Sequence, residues 1–367
     1  MANYITRRDC LVQAAAATAF TTLTSLAFGD SAAAKPKERV KIGQLGIGHN
    51  HGAAKMETLR KLKDDFEVVG VVEPDPTWRK KREKEKAYKD LPWMTEDQLF
   101  AVPGLKAVTV ETDVPGLTAA ALRCVKAGFH VHVDKPGDES YKAFSALLDE
   151  AGRRKLAVQM AYMFRGNPAM QFCFKAVREG LLGRVYSIDA EMSRYQSLEY
   201  LQWLSQYRGG NFYIFSCHLI DLIVAMLGEP ARITPFLRQT YPERKAVDSG
   251  VAVLEYPGTL VTVRSAALEV EGEKRRHLVI SGDKGTIEIR PLEEPATVLK
   301  LTLKEACKPY KKGTQTVDFP KMGGRYDSQL IEFARIVRGE IPNPYPLEHE
   351  RLVQKCVLLA SGVPLDA

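Results

Sequence analysis

The sequence predicts an α/β chain whose N-terminal half is a doubly wound parallel sheet and whose C-terminal half is an α+β unit on a large, mostly antiparallel sheet. Three observations carry this. In ERVKIGQLGIGHNHGAAKMETLRKL (38–62) an apolar run leads through a glycine turn into a helical stretch. Apolar runs then alternate with helical patterns as far as LAVQMAYMF (156–164), as parallel strands joined by crossover helices do. From Val251 the text turns to short alternating runs separated by turn residues, which read as antiparallel strands with one covered face.

The chain opens differently. TRRDCL (6–11) precedes an alanine-rich apolar run and the small residues Ala32, Ala33 and Ala34. A charged start, an apolar middle and a small-residue end read as a secretory signal over residues 1–34. The paired Arg7 and Arg8 resemble the twin-arginine type, which implies recognition by export machinery and a periplasmic or otherwise exported protein, folded around its cofactor before export. Beyond this leader no stretch reads as long and apolar enough to span a membrane.

At 367 residues, 45% hydrophobic and 26% charged, the chain has length for two domains. Its formal net charge of +7 is too modest and too dispersed to point to nucleic acid. Acids interrupt the densest basic run, RKKREKEKAYK (79–89), which reads as a solvated helix face. Of six cysteines, Cys124, Cys173, Cys217, Cys307 and Cys356 follow the leader with no CxxC spacing; buried thiols are expected, not a disulfide framework or a zinc site.

The first strand spans Val40–Leu45, and Gly46 and Gly48 follow it as candidate phosphate contacts. A second apolar run, FEVVGVVEPDP (66–76), carries Glu73 at the distance where a carboxylate accepts from ribose hydroxyls. Where the dinucleotide fingerprint has a third glycine there is His51, with Gly52 one residue late, so helix and strand must approach differently here. His49 and His51 are placed near the pyrophosphate or nicotinamide end. Glu73 favours NAD, since it would repel a 2′-phosphate, while Arg79 keeps NADP open. Further strands are expected over 105–112, 129–136 and 156–164, with helices over 117–127 and 141–153. In such a sheet ligands lie at the carboxyl ends of the strands, so Asp134, Lys135 and Pro136 point into the cleft.

With the glycine turn, Glu73, the DKP triplet (134–136) and a glycine-rich segment running into CHLID (217–221), the chain after the leader resembles the glucose-fructose oxidoreductase and inositol dehydrogenase (Gfo/Idh/MocA) family along nearly its whole length. The resemblance implies a Rossmann domain over 35–164 and a substrate-binding and oligomerisation domain over 165–367 with an open-faced sheet. It implies NAD(P)-dependent hydride transfer on sugars, polyols or related small molecules, with tightly bound cofactor, in a homo-oligomer. DKP looks like the family's EKP, which would make Lys135 the lysine beside nicotinamide and the reacting hydroxyl. An ammonium there stabilises developing oxygen charge. His218 matches the family's acid/base histidine.

The match is imperfect where it matters most. The family pattern D-x-G-x-H reads Ile214, Ser216 and His218 here. On a helix Ile214, His218 and Asp221 share one face, and Asp221 is expected to be a structural hydrogen-bonding residue. Two readings of His218 stay open, a proton shuttle or a packing residue. Past the last parallel strand, Tyr162, Arg165 and Asn167 are candidate substrate contacts, as are Arg194 and Tyr195; Arg165 is equally suited to an interdomain salt bridge. The pairs His49/His51 and His130/His132 have no third ligand at suitable spacing, and no metal is expected. Two other readings remain alongside a dehydrogenase: a redox-neutral glycoside hydrolase or lyase that recycles bound NAD, and a non-catalytic ligand-binding protein.

Overall fold

The computed structural model describes residues 37–293, 298–320 and 322–366. The leader expected over 1–34 lies outside the described residues.

The first sheet is built of β1 (Val40–Leu45), β2 (Phe66–Val72), β3 (Trp93–Met94), β4 (Ala107–Val110), β5 (His130–Val133) and β6 (Val158–Met160). They are all parallel, in the order β3-β2-β1-β4-β5-β6. The helices α1 (Gly52–Lys61), α2 (Pro76–Arg82), α3 (Glu96–Phe100), α4 (Leu117–Lys126) and α5 (Tyr141–Arg154) intervene between strands. The order reverses between β1 and β4, and the loops leaving those strands diverge there to make a crevice, the usual ligand position of such a sheet. β3 and α3 escaped the sequence reading. Two half-buried residues leave no periodicity to read.

The second sheet contains β7 (Val185–Glu191), β8 (Arg232–Arg238), β9 (Ser249–Tyr256), β10 (Thr259–Ala266), β11 (His277–Gly282), β12 (Gly285–Ile289), β13 (Leu299–Leu303) and β14 (Gly313–Val317). Its order is β14-β13-β12-β11-β7-β10-β9-β8, antiparallel at every step except β7 with β10. Alternation assigns its faces: Gly250, Ala252, Leu254, Val261 and Val263 are buried, while Val251, Val253, Leu260 and Thr262 point the other way.

Helices α6 (Pro168–Arg178), α7 (Leu198–Leu204), α8 (Gly210–Leu227), α9 (Asp327–Val337) and α10 (Leu347–Ala360) complete the chain. α8 corrects one expectation, because by length and composition it is apolar enough to cross a membrane. It is a core helix instead, apolar all round because β9, β10 and α10 enclose it. α9 crosses back to the first sheet, where Leu330, Phe333 and Ala334 pack on Val40, Ile42, Phe66 and Ala107. Residues after 165 therefore build part of the nucleotide half as well as the second sheet. Cys124, Cys173, Cys217 and Cys356 are buried thiols, as expected, but Cys307 is exposed.

Candidate active-site cleft

The crevice begins at the glycine turn. Gly46 has φ +86°, and a Cβ there would lie 2.5 Å from the backbone nitrogen of Thr112, so a side chain meets both strain and backbone. At Gly48 a Cβ would lie 3.0 Å from the nitrogen of Asp113 and 3.3 Å from Trp78 Nε1. The work of the missing third glycine falls to Gly52, the first residue of α1, whose Cβ position is 3.3 Å from both Glu111 Cβ and Tyr88 Oη. The helix makes its close approach one residue later than the fingerprint has it, which frees position 51 for a side chain.

Glu73 is bound to this turn. Its Oε2 accepts from Ile47 N at 2.8 Å and its Oε1 from Asp75 N at 2.9 Å, while burial raises its pKa. Arg82 was expected on a solvated face; it turns inward instead, and Nη1 donates to the carbonyls of Ile47 (2.5 Å) and His49 (3.1 Å). Arg79 stacks over Trp93 at 5.0 Å and lies 3.8 Å from Glu83.

Asp134 is a buried hub between the turn and DKP. Its Oδ2 lies 2.6 Å from Lys55 Nζ and 3.1 Å from Nδ1 of both His49 and His51, and its Oδ1 accepts from Lys135 N at 2.7 Å. Lys55 also donates to Glu111 at 2.8 Å. Burial alone would raise Asp134, but His49, Lys55 and His51 outweigh it and hold the carboxyl well below its ordinary value. Glu111 is driven up by burial, against the pull of Lys55. Burial pushes His51 down to about 4, with Asp134 opposing. Spacing along the chain offered these histidines no third metal ligand; folding brings Asp134 to within 4.8 Å of both. The ammonium of Lys55 already occupies that carboxylate, so the cluster is a hydrogen-bonded network. Lys55 and Glu111 were missed by the sequence reading, although a lysine on the same inward face of α1 as Met56 and Leu59 was a signal for a buried partner.

Lys135 is buried, and its Nζ donates to the main-chain oxygen of Ile214 at 3.0 Å. His218 is buried with its ring edge-on to Tyr162 and Phe164, at 5.9 and 5.7 Å between centroids. Its Nδ1 has no hydrogen-bond partner among the described residues. Burial and then the nearby Lys135 depress its pKa well below the usual range, so the ring is neutral near pH 7. Both residues line one cleft of about 300 Å³. His49, Asn50, His51, Val114 and Lys135 line it from the first half of the chain, and Arg194, Gln196, Tyr200, Trp203, Ile214, His218, Arg276, Glu293 and Arg325 are among the lining residues from the second.

Several candidate contacts lie elsewhere. Arg165, expected to reach substrate, is buried in ion pairs with Asp221 (2.6 Å) and Glu350 (2.7 Å), joining α6's approach to α8 and α10. Asp221 is thus structural, and His349 approaches it at 3.5 Å. Asn167 caps α6 by accepting from Ala169 N and lines a separate cavity of about 590 Å³. Tyr162 is buried behind His218, and Tyr195 is 60% exposed and outside the cleft lining. Pro136 is buried after Lys135. His132 Nδ1 donates to Gln159 Oε1 at 2.8 Å, and His130 accepts from Ala157 N, so this pair has separate structural partners. Of the proposed substrate contacts only Arg194 lines the cleft, where Arg276, Glu293 and Arg325, unread in the sequence, join it.

The residues present fit a dinucleotide: a side-chain-free turn at 46 and 48 beside the switch point, a carboxylate just after β2, and a lysine just after β5. Comparison with known proteins agrees. Residues 40–162 match the family model described as "Oxidoreductase family, NAD-binding Rossmann fold", and residues 170–288 match "GFO/IDH/MocA C-terminal domain". Among curated relatives, an uncharacterized oxidoreductase of Schizosaccharomyces pombe is 23% identical over 59% of this chain and 61% of its own length. The myo-inositol 2-dehydrogenase of Thermotoga maritima is 24% identical over 71% of this chain and 78% of its own. The chain thus spans about three fifths of the first of these relatives. Two solved structures share the fold: aldose-aldose oxidoreductase from Caulobacter crescentus (TM-score 0.75, 16% identity, 89% of this chain and 98% of that one) and UDP-N-acetylglucosamine 3-dehydrogenase from Acidithiobacillus ferrooxidans (TM-score 0.73, 18% identity, 89% and 98%). With a Gfo/Idh/MocA model matching each half, and His49, His51, Lys135 and His218 gathered at one crevice, the chain belongs to the Gfo/Idh/MocA family of oxidoreductases.

Proposed function

We propose that the protein is an exported NAD-dependent oxidoreductase that acts on a CH–OH group of a sugar, polyol or glycoside. One observation carries this: Lys135 and His218, from opposite halves of the chain, line one cleft together with His49, Asn50 and His51, which follow the glycines of the turn. Similarity to a myo-inositol 2-dehydrogenase and a levoglucosan dehydrogenase supports the substrate class.

Gly46 and Gly48 would admit the pyrophosphate, Glu73 would accept from the ribose, and Lys135 would stand beside the nicotinamide. The nicotinamide, when bound, supplies the hydride acceptor or donor. The chain's own residues handle the proton and the oxygen charge. Neutral His218, with Nδ1 unengaged, accepts the hydroxyl proton, and the Lys135 ammonium stabilises the oxygen as that proton leaves. Asp134 fixes the rings of His49 and His51 against the turn. NAD is favoured over NADP because Glu73 opposes a 2′-phosphate while Arg79 is engaged on Trp93 and Glu83. The leader supports export with cofactor already bound. The outward face of the second sheet, with Phe236, Val251, Val253 and Leu260, supports a homo-oligomer.

Denaturing the purified protein is expected to release nicotinamide cofactor, and a panel of sugars and polyols is expected to yield reduced cofactor. Absence of both cofactor and measurable NAD affinity would sink this reading and favour a ligand-binding protein. Glycoside turnover without accumulation of reduced cofactor would assign the redox-neutral hydrolase or lyase instead.

A further inference from the structure

Among the described residues the cleft is lined by four basic side chains, Lys135, Arg194, Arg276 and Arg325, against one carboxylate, Glu293. Arg194 is paired outside the lining with Glu273 at 3.2 Å. Glu293 is shared: Arg276 Nη1 donates to it and Arg325 Nη1 lies 3.5 Å away. Arg276 is only 4% exposed, its Nε donates to Ser193 O, and its Nη2 has no hydrogen-bond partner among the described residues. A buried guanidinium with an unused donor is costly unless an acceptor arrives. Lys135, for its part, donates to the neutral carbonyl of Ile214. A neutral sugar leaves this excess positive charge uncompensated beside a nicotinamide that is itself cationic when oxidised.

We propose that the substrate carries an oxyanion: it is a monosaccharide- or polyol-sized acid whose carboxylate or phosphate is held by Arg276 and Arg325, with its reacting hydroxyl toward Lys135. This rests on the reading of the cleft as a hydride-transfer site. The guanidiniums come from the second half of the chain and line the cleft, whereas Gly46 and Gly48, where the pyrophosphate is placed, lie outside that lining, so the arginines are left for the substrate. A guanidinium fork matches the geometry of either oxyanion. Gln196 and Asn50 remain for hydroxyls, and Tyr200 and Trp203 for the ring face.

The test is calorimetric titration of the full cofactor-loaded protein with gluconate, glucuronate and glucose 6-phosphate, against glucose and sorbitol. At least one acid is expected to bind about tenfold or more tighter than its neutral counterpart, the scale of one charge-assisted hydrogen bond, and to weaken as salt is added. Preference for carboxylate or for phosphate identifies the source of the oxyanion, and either supports the proposal. Arg325→Gln, at a half-exposed position, should erase most of the preference. Glu293→Gln should tighten acid binding by about threefold or more, a gain that misfolding does not produce. Equal affinity for acids and neutral sugars, no acid binding at all, or acid binding unmoved by both variants overturns the proposal. Cofactor reduction recorded in the same samples separates the two ideas. Acid binding without reduction upholds the anion site and sinks the hydride-transfer reading, whereas reduction by neutral sugars alone does the opposite.

Discussion

The Lys135 ammonium lies 3.0 Å from the backbone oxygen of Ile214, the residue that stands where the family pattern has an acid. The contact survives the loss of that carboxylate because it runs through the main chain of α8. DKP and the first turns of α8 are thereby tied together, and His218, one helical turn on, is kept in the same cleft. A carbonyl orients the lysine and sets no opposing charge against it, so the side chain is held toward a developing alkoxide.

Replacing Lys135 by methionine leaves an unbranched side chain one atom shorter and removes the ammonium. Turnover is expected to fall by about a hundredfold to ten-thousandfold, the usual contribution of a positioned acid or base, with cofactor content unchanged. Steady-state kinetics with released cofactor measured in parallel checks this. A variant that keeps most of its kcat would remove Lys135 from the chemistry.

The first sheet was legible because β1, β2, β4 and β5 are apolar runs that end at a glycine or an acid, and the reading of Val40–Leu45 matches β1 residue for residue. DKP was legible because a strand end in a parallel sheet has only one place to point. The cationic wall was not. Arg276 and Arg325 are isolated in sequence, and pairing of β11 with β7 and the return of the chain before α9 bring them to the cleft. Arg165 misled for the converse reason: it follows the last parallel strand, but its partners Asp221 and Glu350 come from helices far along the chain.

Arg165 therefore serves stability. Removing it leaves two buried carboxylates, Asp221 and Glu350, facing each other without a cation. Arg165→Met is expected to cost about 3–5 kcal/mol, as breaking a buried ion pair from one side does. Urea unfolding of this variant measures the loss. A variant of native stability with a raised KM would return Arg165 to the substrate site.

The glycine turn distinguishes fold from cofactor binding. Gly46→Ala forces a positive φ on a side chain 2.5 Å from the backbone of Thr112, so the turn itself must move. A stability loss of at least about 1–2 kcal/mol is expected along with loss of cofactor. Gly48→Ala meets Asp113 N at 3.0 Å and the indole of Trp78 at 3.3 Å, a milder crowding on the surface offered to the pyrophosphate. It is expected to weaken NAD affinity about tenfold or more with little change in melting temperature. Titration with NAD and thermal unfolding of both variants check the contrast; equal effects on affinity and stability would refute it.

Three histidines set an acid limit on the fold. Burial depresses His132 to about 3 and His51 to about 4, and holds His218 well below its ordinary value. In the unfolded chain each returns to about 6.5. Between the folded and unfolded values the unfolded state binds more protons, so stability is fully present above about 6.5 and is lost as pH falls toward the folded values. Each such histidine contributes a slope of about 1.4 kcal/mol per pH unit within its window. His277 works in the opposite sense: its hydrogen bond to Asp189 raises its pKa, so its contribution is full below the unfolded value and is lost as pH rises through the folded one. His132 is the cleanest probe because it is wholly buried behind Phe333 and outside the lining of the cleft. His132→Gln is expected to flatten the decline of unfolding free energy between about pH 6 and pH 4.5 by close to one proton's worth. Denaturant unfolding across that range measures it, and an unchanged slope would show that His132 takes up its proton in the folded protein.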